Sequence, residues 1–123
     1  MSTVDVLVVD DDEAIAEFVA VILAERGYQV RTAVNGREAL DLLRETPPQV
    51  LLLDLMLPLM DGWDLAQRMR ESPMLKDVPV VVMSAHNDVP DEAQAVGAVA
   101  YLHKPFDLDD LFSCVATYAG ARR

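Results

Sequence analysis

The stretch Val50-Leu51-Leu52-Leu53-Asp54 constrains the fold of this chain more than any other. Four successive apolar residues with no polar alternation describe a strand buried on both faces, as in parallel sheets covered by helices. The carboxylate that ends the run belongs where such a sheet meets solvent. Leu55-Met56-Leu57-Pro58 closes the segment and Met60-Asp61-Gly62 supplies turn chemistry, so the chain leaves the sheet just past Asp54. In open parallel sheets that carboxyl edge is where ligands bind.

The rest of the chain repeats the pattern. Val6-Leu7-Val8-Val9 is a second doubly apolar strand and also ends in acid, at Asp10-Asp11-Asp12-Glu13. Ile15, Phe18, Val19, Ile22 and Leu23 then recur at helical spacing until Gly27. Tyr28 to Ala33 reads as a short strand, and Asn35-Gly36-Arg37-Glu38 resembles a capping box opening a helix with Leu40 and Leu43 inward. Pro47-Pro48 ends it. After Gly62, Leu65, Ala66 and Met69 mark a third helix that stops near Ser72-Pro73, with Trp63 expected as loop packing. Val78 to Met83 is a fourth strand. Asp88 to Val96 is a weaker helical stretch in which Asp88 is the cap candidate and Pro90 fits the first turn. Val99 to Leu102 forms a last strand, and Asp107 is expected to cap a helix carrying Leu108, Leu111, Phe112 and Val115 inward.

Five strands alternating with five helices predict an α/β domain over 1–123: a (βα)5 three-layer sandwich, because parallel neighbours need right-handed crossovers. In the flavodoxin-like order 2-1-3-4-5 the first and third strands are adjacent, which brings Asp10, Asp11 and Asp54 to one edge. Carboxylates gathered so closely must hold a proton or bind a cation. Oxygen-only ligands favour a hard ion, and two carboxylates, a backbone carbonyl and waters suit octahedral Mg²⁺, whereas Zn²⁺ calls for His or Cys. Beside such an ion an Asp54 oxygen can attack a phosphoryl group and form an aspartyl phosphate. Ser84, ending the fourth strand, can offer its hydroxyl to a phosphoryl oxygen, and Lys104, ending the fifth, brings positive charge into the acid cluster.

A formal net charge of -11 opposes binding to nucleic acid or anionic membrane surfaces. The single cysteine, Cys114, expected on the inner side of the last helix, excludes a disulfide framework and favours a reducing compartment. No basic-then-apolar leader opens the chain and no apolar run reaches membrane-spanning length, so a cytoplasmic location is expected.

Taken together, Asp10-Asp11, Asp54 followed by Met56, Pro58 and Asp61-Gly62, Ser84-Ala85, Gly97-Ala98, Tyr101 and Lys104-Pro105-Phe106 resemble a response-regulator receiver domain of two-component signalling, stand-alone or excised from a longer protein. The resemblance covers the whole chain. It implies that Asp54 accepts a phosphoryl group from a histidine kinase or a histidine phosphotransfer protein. Asp11, Asp54 and the Met56 carbonyl would ligate Mg²⁺, and Asp10 would act largely through metal-bound water. It also implies that Ser84 and Lys104 hold phosphoryl oxygens, that Tyr101 turns inward when Ser84 is drawn toward the phosphate, and that the Lys104-Pro105 bond is cis. By the same resemblance, Met56 and His86 fall where the family tunes phosphate lifetime. A downstream protein would read the face of the fourth helix, fifth strand and fifth helix, through which a homodimer is also possible. The segment between Ala85 and Gly97 is shorter than usual in the family, which implies a shortened or displaced fourth helix.

Two other functions fit parts of the pattern. Val8-Val9-Asp10-Asp11-Asp12 also resembles the Asp-x-Asp entry of haloacid-dehalogenase-like phosphatases, with Asp10 as nucleophile and Asp12 as acid. Ala14, where that family has Thr or Val, and a chain with no room for a cap domain count against it. The other is an unphosphorylated interaction module that keeps the fold, against which the intact site residues argue. His86 and His103 have no partner ligands at metal spacing.

Overall fold

The computed structural model describes residues 4–57, 60–85 and 89–120. The chain runs β1 (Val6–Val9), α1 (Glu13–Glu25), β2 (Val30–Ala33), α2 (Gly36–Glu45), β3 (Val50–Asp54), α3 (Gly62–Arg70), β4 (Val80–Ser84), α4 (Val89–Val96), β5 (Ala100–His103) and α5 (Leu108–Ala119). All strand pairs are parallel, in the order β2-β1-β3-β4-β5. This is the flavodoxin-like arrangement that the apolar runs predict.

β3 is the central strand, paired with β1 on one side and β4 on the other, which is why its sequence shows no polar alternation. Leu51 and Leu53 pack into the layer formed with α2, α3 and α4, while Val50 and Leu52 pack under α1 and α5. Each of these four side chains is fully buried, and full burial of such a residue is worth about 1.5–3 kcal/mol. The carboxylate at the end of β3 therefore sits on a rigid support.

The ends of the helices follow local chemistry. Asp12 caps α1 by accepting from the Ala14 and Ile15 N–H groups at 3.0 and 3.3 Å, and Gly27 takes a positive φ of 94° where the chain turns away. Asn35 caps α2 by accepting from Glu38 N–H at 2.8 Å, and Asp61 caps α3 by accepting from Asp64 N–H at 2.9 Å. Pro90 falls in the first turn of α4, as expected. At eight residues α4 is the shortest of the five helices, in keeping with the short segment that encodes it. The expected Asp88 cap lies outside the described residues.

Several expectations need correction. Phe18 is 55% and Leu108 41% exposed, because the inward stripes of their helices are narrower than the apolar pattern: Ala16, Val19 and Leu23 fill α1's inner face, and Leu111, Val115 and Ala119 fill that of α5. Phe112 is half-buried, held under the Arg26 guanidinium at 3.7 Å. Asp107 stands at the N-cap of α5 but makes no side-chain capping bond. Trp63 lies in the first turn of α3 rather than in a loop, and Tyr28 precedes β2, its hydroxyl donating to the Gly120 carbonyl at 2.8 Å.

Candidate functional site

Parallel pairing delivers every strand's carboxyl end to the same edge. Val9 pairs with Leu53, Asp54 with Met83 and Ser84 with His103, so Asp10, Asp54, Ser84 and Lys104 emerge side by side from β1, β3, β4 and β5. Residues separated by 94 positions meet here: Lys104 Nζ lies 2.6 Å from Asp10 Oδ2 and 3.1 Å from Asp54 Oδ2. The residues are held from behind. Asp12 N–H donates to Asp10 Oδ1 at 2.9 Å, and Met56 N–H donates to Asp54 Oδ1 at 3.0 Å. Each carboxylate thus gives one oxygen to the backbone and the other to the lysine.

Lys104 is positioned by its own main chain, whose N–H donates to the Ser84 carbonyl at 2.8 Å, and the Lys104-Pro105 bond is cis as the resemblance implies. Ser84 is buried at the end of β4. On the other flank Gly62 N–H donates to the Leu55 carbonyl at 2.9 Å, and a Cβ at Gly62 would stand 2.5 Å from Leu55 Cα. Only a glycine lets α3 start this close to the strand carrying the carboxylate.

Of the acidic run, Asp10 is buried at the floor, Asp11 is exposed at the rim and Asp12 serves the helix. Oxygens of Asp10, Asp11 and Asp54 lie within 4.8 Å of one another, a spacing that lets three carboxylates share one ion. With oxygen donors alone and a half-open rim, this set fits a hard divalent cation such as Mg²⁺.

Burial is the largest influence on Asp54. It pushes the carboxyl above its ordinary value and outweighs the Met56 N–H and the Lys104 ammonium, both of which favour the anion, while Asp10 adds repulsion. For Lys104 burial works toward the neutral form, but the Asp10 and Asp54 carboxylates together exceed it and hold the ammonium above its ordinary value. The site is therefore a buried acid in electrostatic tension, short of positive charge. Away from the edge, burial alone pushes up the Cys114 thiol, which packs half-buried against the α1/α5 layer.

The structure thus brings together Asp10, Asp11, Asp54, Ser84 and Lys104. Tyr101 stands apart in β5 with 47% of its surface exposed, the outward position, and Met56 is 57% exposed beside Asp54. Pro58 and His86 lie outside the described residues. Sequence reasoning missed the backbone donors of Asp12 and Met56, which leave no side-chain signature, and the direct double contact of Lys104.

The family model described as response regulator receiver domain matches residues 6–116. The DNA-binding dual master transcriptional regulator RpaA of Synechocystis is 38% identical over 112 residues, covering 89% of this chain and 46% of that protein. Response regulator MprA of Mycolicibacterium vanbaalenii is likewise 38% identical over 112 residues, covering 89% and 48%. The chain spans about half the length of these curated relatives. Among solved structures, the chemotaxis response regulator CheY4 of Vibrio cholerae superposes with a TM-score of 0.85 at 30% identity, covering 95% of this chain and 99% of that one. The receiver domain of Francisella response regulator 1452 has a TM-score of 0.85 at 33% identity, covering 95% and 97%.

Proposed function

Since the chain belongs to the response regulator receiver domain family, we propose that it is a single phosphoacceptor domain over 1–123 that takes a phosphoryl group onto Asp54 and signals through a change in its protein-binding surface. The donor is the phosphohistidine of a histidine kinase or a histidine phosphotransfer protein. An Asp54 carboxylate oxygen attacks phosphorus, an O–P bond forms as the N–P bond breaks, and the electron pair returns to the imidazole nitrogen. The family signals rather than turning over substrate as an ordinary enzyme does, and this reading keeps to that.

The residues divide the work. Asp54 must be ionised to attack, and the Lys104 ammonium at 3.1 Å favours the anion that burial opposes. Asp10, Asp11 and Asp54, with the Met56 carbonyl that the resemblance adds, would hold Mg²⁺, which supplies the positive charge that screens the carboxylate from the incoming phosphoryl group. Lys104 pairs with one phosphoryl oxygen and the Ser84 hydroxyl binds another, stabilising charge that develops on transfer. Drawing Ser84 toward the phosphate opens room for Tyr101 to turn inward from its exposed position, which couples the edge to the α4-β5-α5 face.

The observation that carries this reading is the double contact of Lys104 with Asp10 and Asp54 beside three carboxylates that can share an ion. The phosphatase alternative is not favoured: the Asp10 carboxylate is the more deeply buried of the two, its side chain 1% exposed against 11% for Asp54. Among the described residues no helix is long and apolar enough to cross a membrane. Incubation with Mg²⁺ and acetyl phosphate, followed by intact mass, tests the proposal. Wild type should gain one phosphoryl group, Asp54→Asn none, and Asp10→Asn less than wild type. An adduct that persists in Asp54→Asn refutes it.

A further inference from the structure

β5 is the last strand of the sheet, and beside it a groove of about 640 Å³ runs between the strand and the flank of α5. Tyr101, His103 and Phe106 line one wall, and Asp107, Asp110 and Cys114 line the other. The lining is mixed, apolar at Tyr101, Leu102 and Phe106 and acidic at Asp107 and Asp110. α4, β5 and α5 together contribute no Lys or Arg, while the exposed Asp91 on α4 and Asp107, Asp109 and Asp110 at the start of α5 add negative charge. Among the described residues, Lys104 is committed to Asp10 and Asp54, Arg26 stacks on Phe112 on the α1 side of α5, and Arg70 reaches from α3 to Gly97 at the far end of α4.

Two copies of this chain meeting through this face would set Asp107 and Asp110 against like charges, and among the described residues α4, β5 and α5 offer no Lys or Arg to offset them. The same arrangement suits a cationic segment, whose Lys or Arg heads would meet Asp107 and Asp110 while an apolar residue fills the space beside Tyr101 and Phe106. We propose that the groove between β5 and α5 receives a Lys/Arg-bearing, apolar-anchored segment of a different protein, and that the charge of this edge keeps the chain from pairing with itself there. The inference rests on the signalling reading above and adds the chemistry of the partner. Because Tyr101 lines the groove, its inward turn would change the shape of the apolar wall, which is how phosphorylation of Asp54 reaches the partner.

The test uses the full chain and a fluorescein-labelled peptide alternating Lys with Leu, with a peptide of Glu in place of Lys as its counterpart. Anisotropy titration should show binding of the Lys peptide only. Asp107→Lys combined with Asp110→Lys should weaken it by at least about tenfold, while Glu17→Lys combined with Glu38→Lys, by the opposite β2 edge of the sheet, should weaken it less than about twofold. Tyr101→Ala, which leaves the charges in place, should also weaken it. Sedimentation should find a monomer with and without beryllofluoride and Mg²⁺. Equal losses from the two charge reversals, or a dimer abolished by Asp110→Lys, overturn the proposal. A chain that responds to beryllofluoride in Trp63 fluorescence yet ignores the Lys peptide refutes the docking surface alone, whereas absence of the beryllofluoride response refutes the phosphoacceptor reading.

Discussion

Replacing Lys104 by Met keeps the length and apolar stem of the side chain and removes its charge. Asp10 and Asp54 would then face each other at 1% and 11% side-chain exposure without the ammonium that lies 2.6 and 3.1 Å away. Removing one partner of a fully buried ion pair costs about 3–5 kcal/mol, because the remaining charge is stranded. The lysine is 18% exposed and the pocket opens to solvent at Asp11, so part of that cost is screened. A loss of about 2–3 kcal/mol is expected from metal-free protein at neutral pH. An unfolding entropy of about 2.1 cal/mol/K per residue, taken over this chain, makes that a fall of about 8–12 °C in Tm. Mg²⁺ should then restore more stability to Lys104→Met than it adds to wild type, since the ion meets two carboxylates no longer neutralised by the protein; at tenfold excess over Kd, binding adds about 1.4 kcal/mol. Combining Lys104→Met with Asp10→Asn should recover most of the loss. Urea unfolding with EDTA and with Mg²⁺ reads all of this. If Lys104→Met lies within about 0.5 kcal/mol of wild type in EDTA and gains no more from Mg²⁺, the lysine is not what balances the buried acids.

Further outcomes follow from the same edge. Asp54 is held above the ordinary aspartate value, so folded protein binds more protons than unfolded and metal-free stability should fall as pH rises from about 3.8 through the folded value; Asp54→Asn should remove that slope in urea titrations across pH. Gly62→Ala would force a Cβ to 2.5 Å from Leu55 Cα and 2.8 Å from Leu55 Cδ2, and should cost about 2–3 kcal/mol in chemical denaturation while weakening Mg²⁺ binding through the displaced strand end. Ser84→Ala removes a hydroxyl from the edge and little from the core, so Tm should move by less than about 4 °C. Phosphorylation by acetyl phosphate, followed by mass, should slow by about ten- to a hundredfold in the same variant.

The linear pattern determines the architecture here because each apolar run states how many of its faces are covered. Val50–Leu53 and Val6–Val9 read as doubly buried, and both sit inside the sheet; β2, whose Arg31 and Thr32 are exposed, sits at its edge. Asn35, Gly27 and Pro90 mark helix ends from the sequence because capping and left-handed turns depend on one or two residues and their immediate backbone. Strand-end positions also pointed to the residues that meet at this edge, since parallel pairing leaves only one edge on which carboxyl ends can gather. Phe18 and Leu108 misled for the opposite reason: helical periodicity marks an apolar stripe but not its width, which is set by how closely α1 and α5 approach the sheet. Which acid of the Asp10-Asp11-Asp12 run faces the lysine, which caps the helix and which meets solvent was decided only by the path of the chain leaving β1. The shift of Asp54 likewise belongs to the assembled molecule, because burial by neighbouring strands and the reach of a lysine from β5 are distances in space that no spacing along the chain encodes.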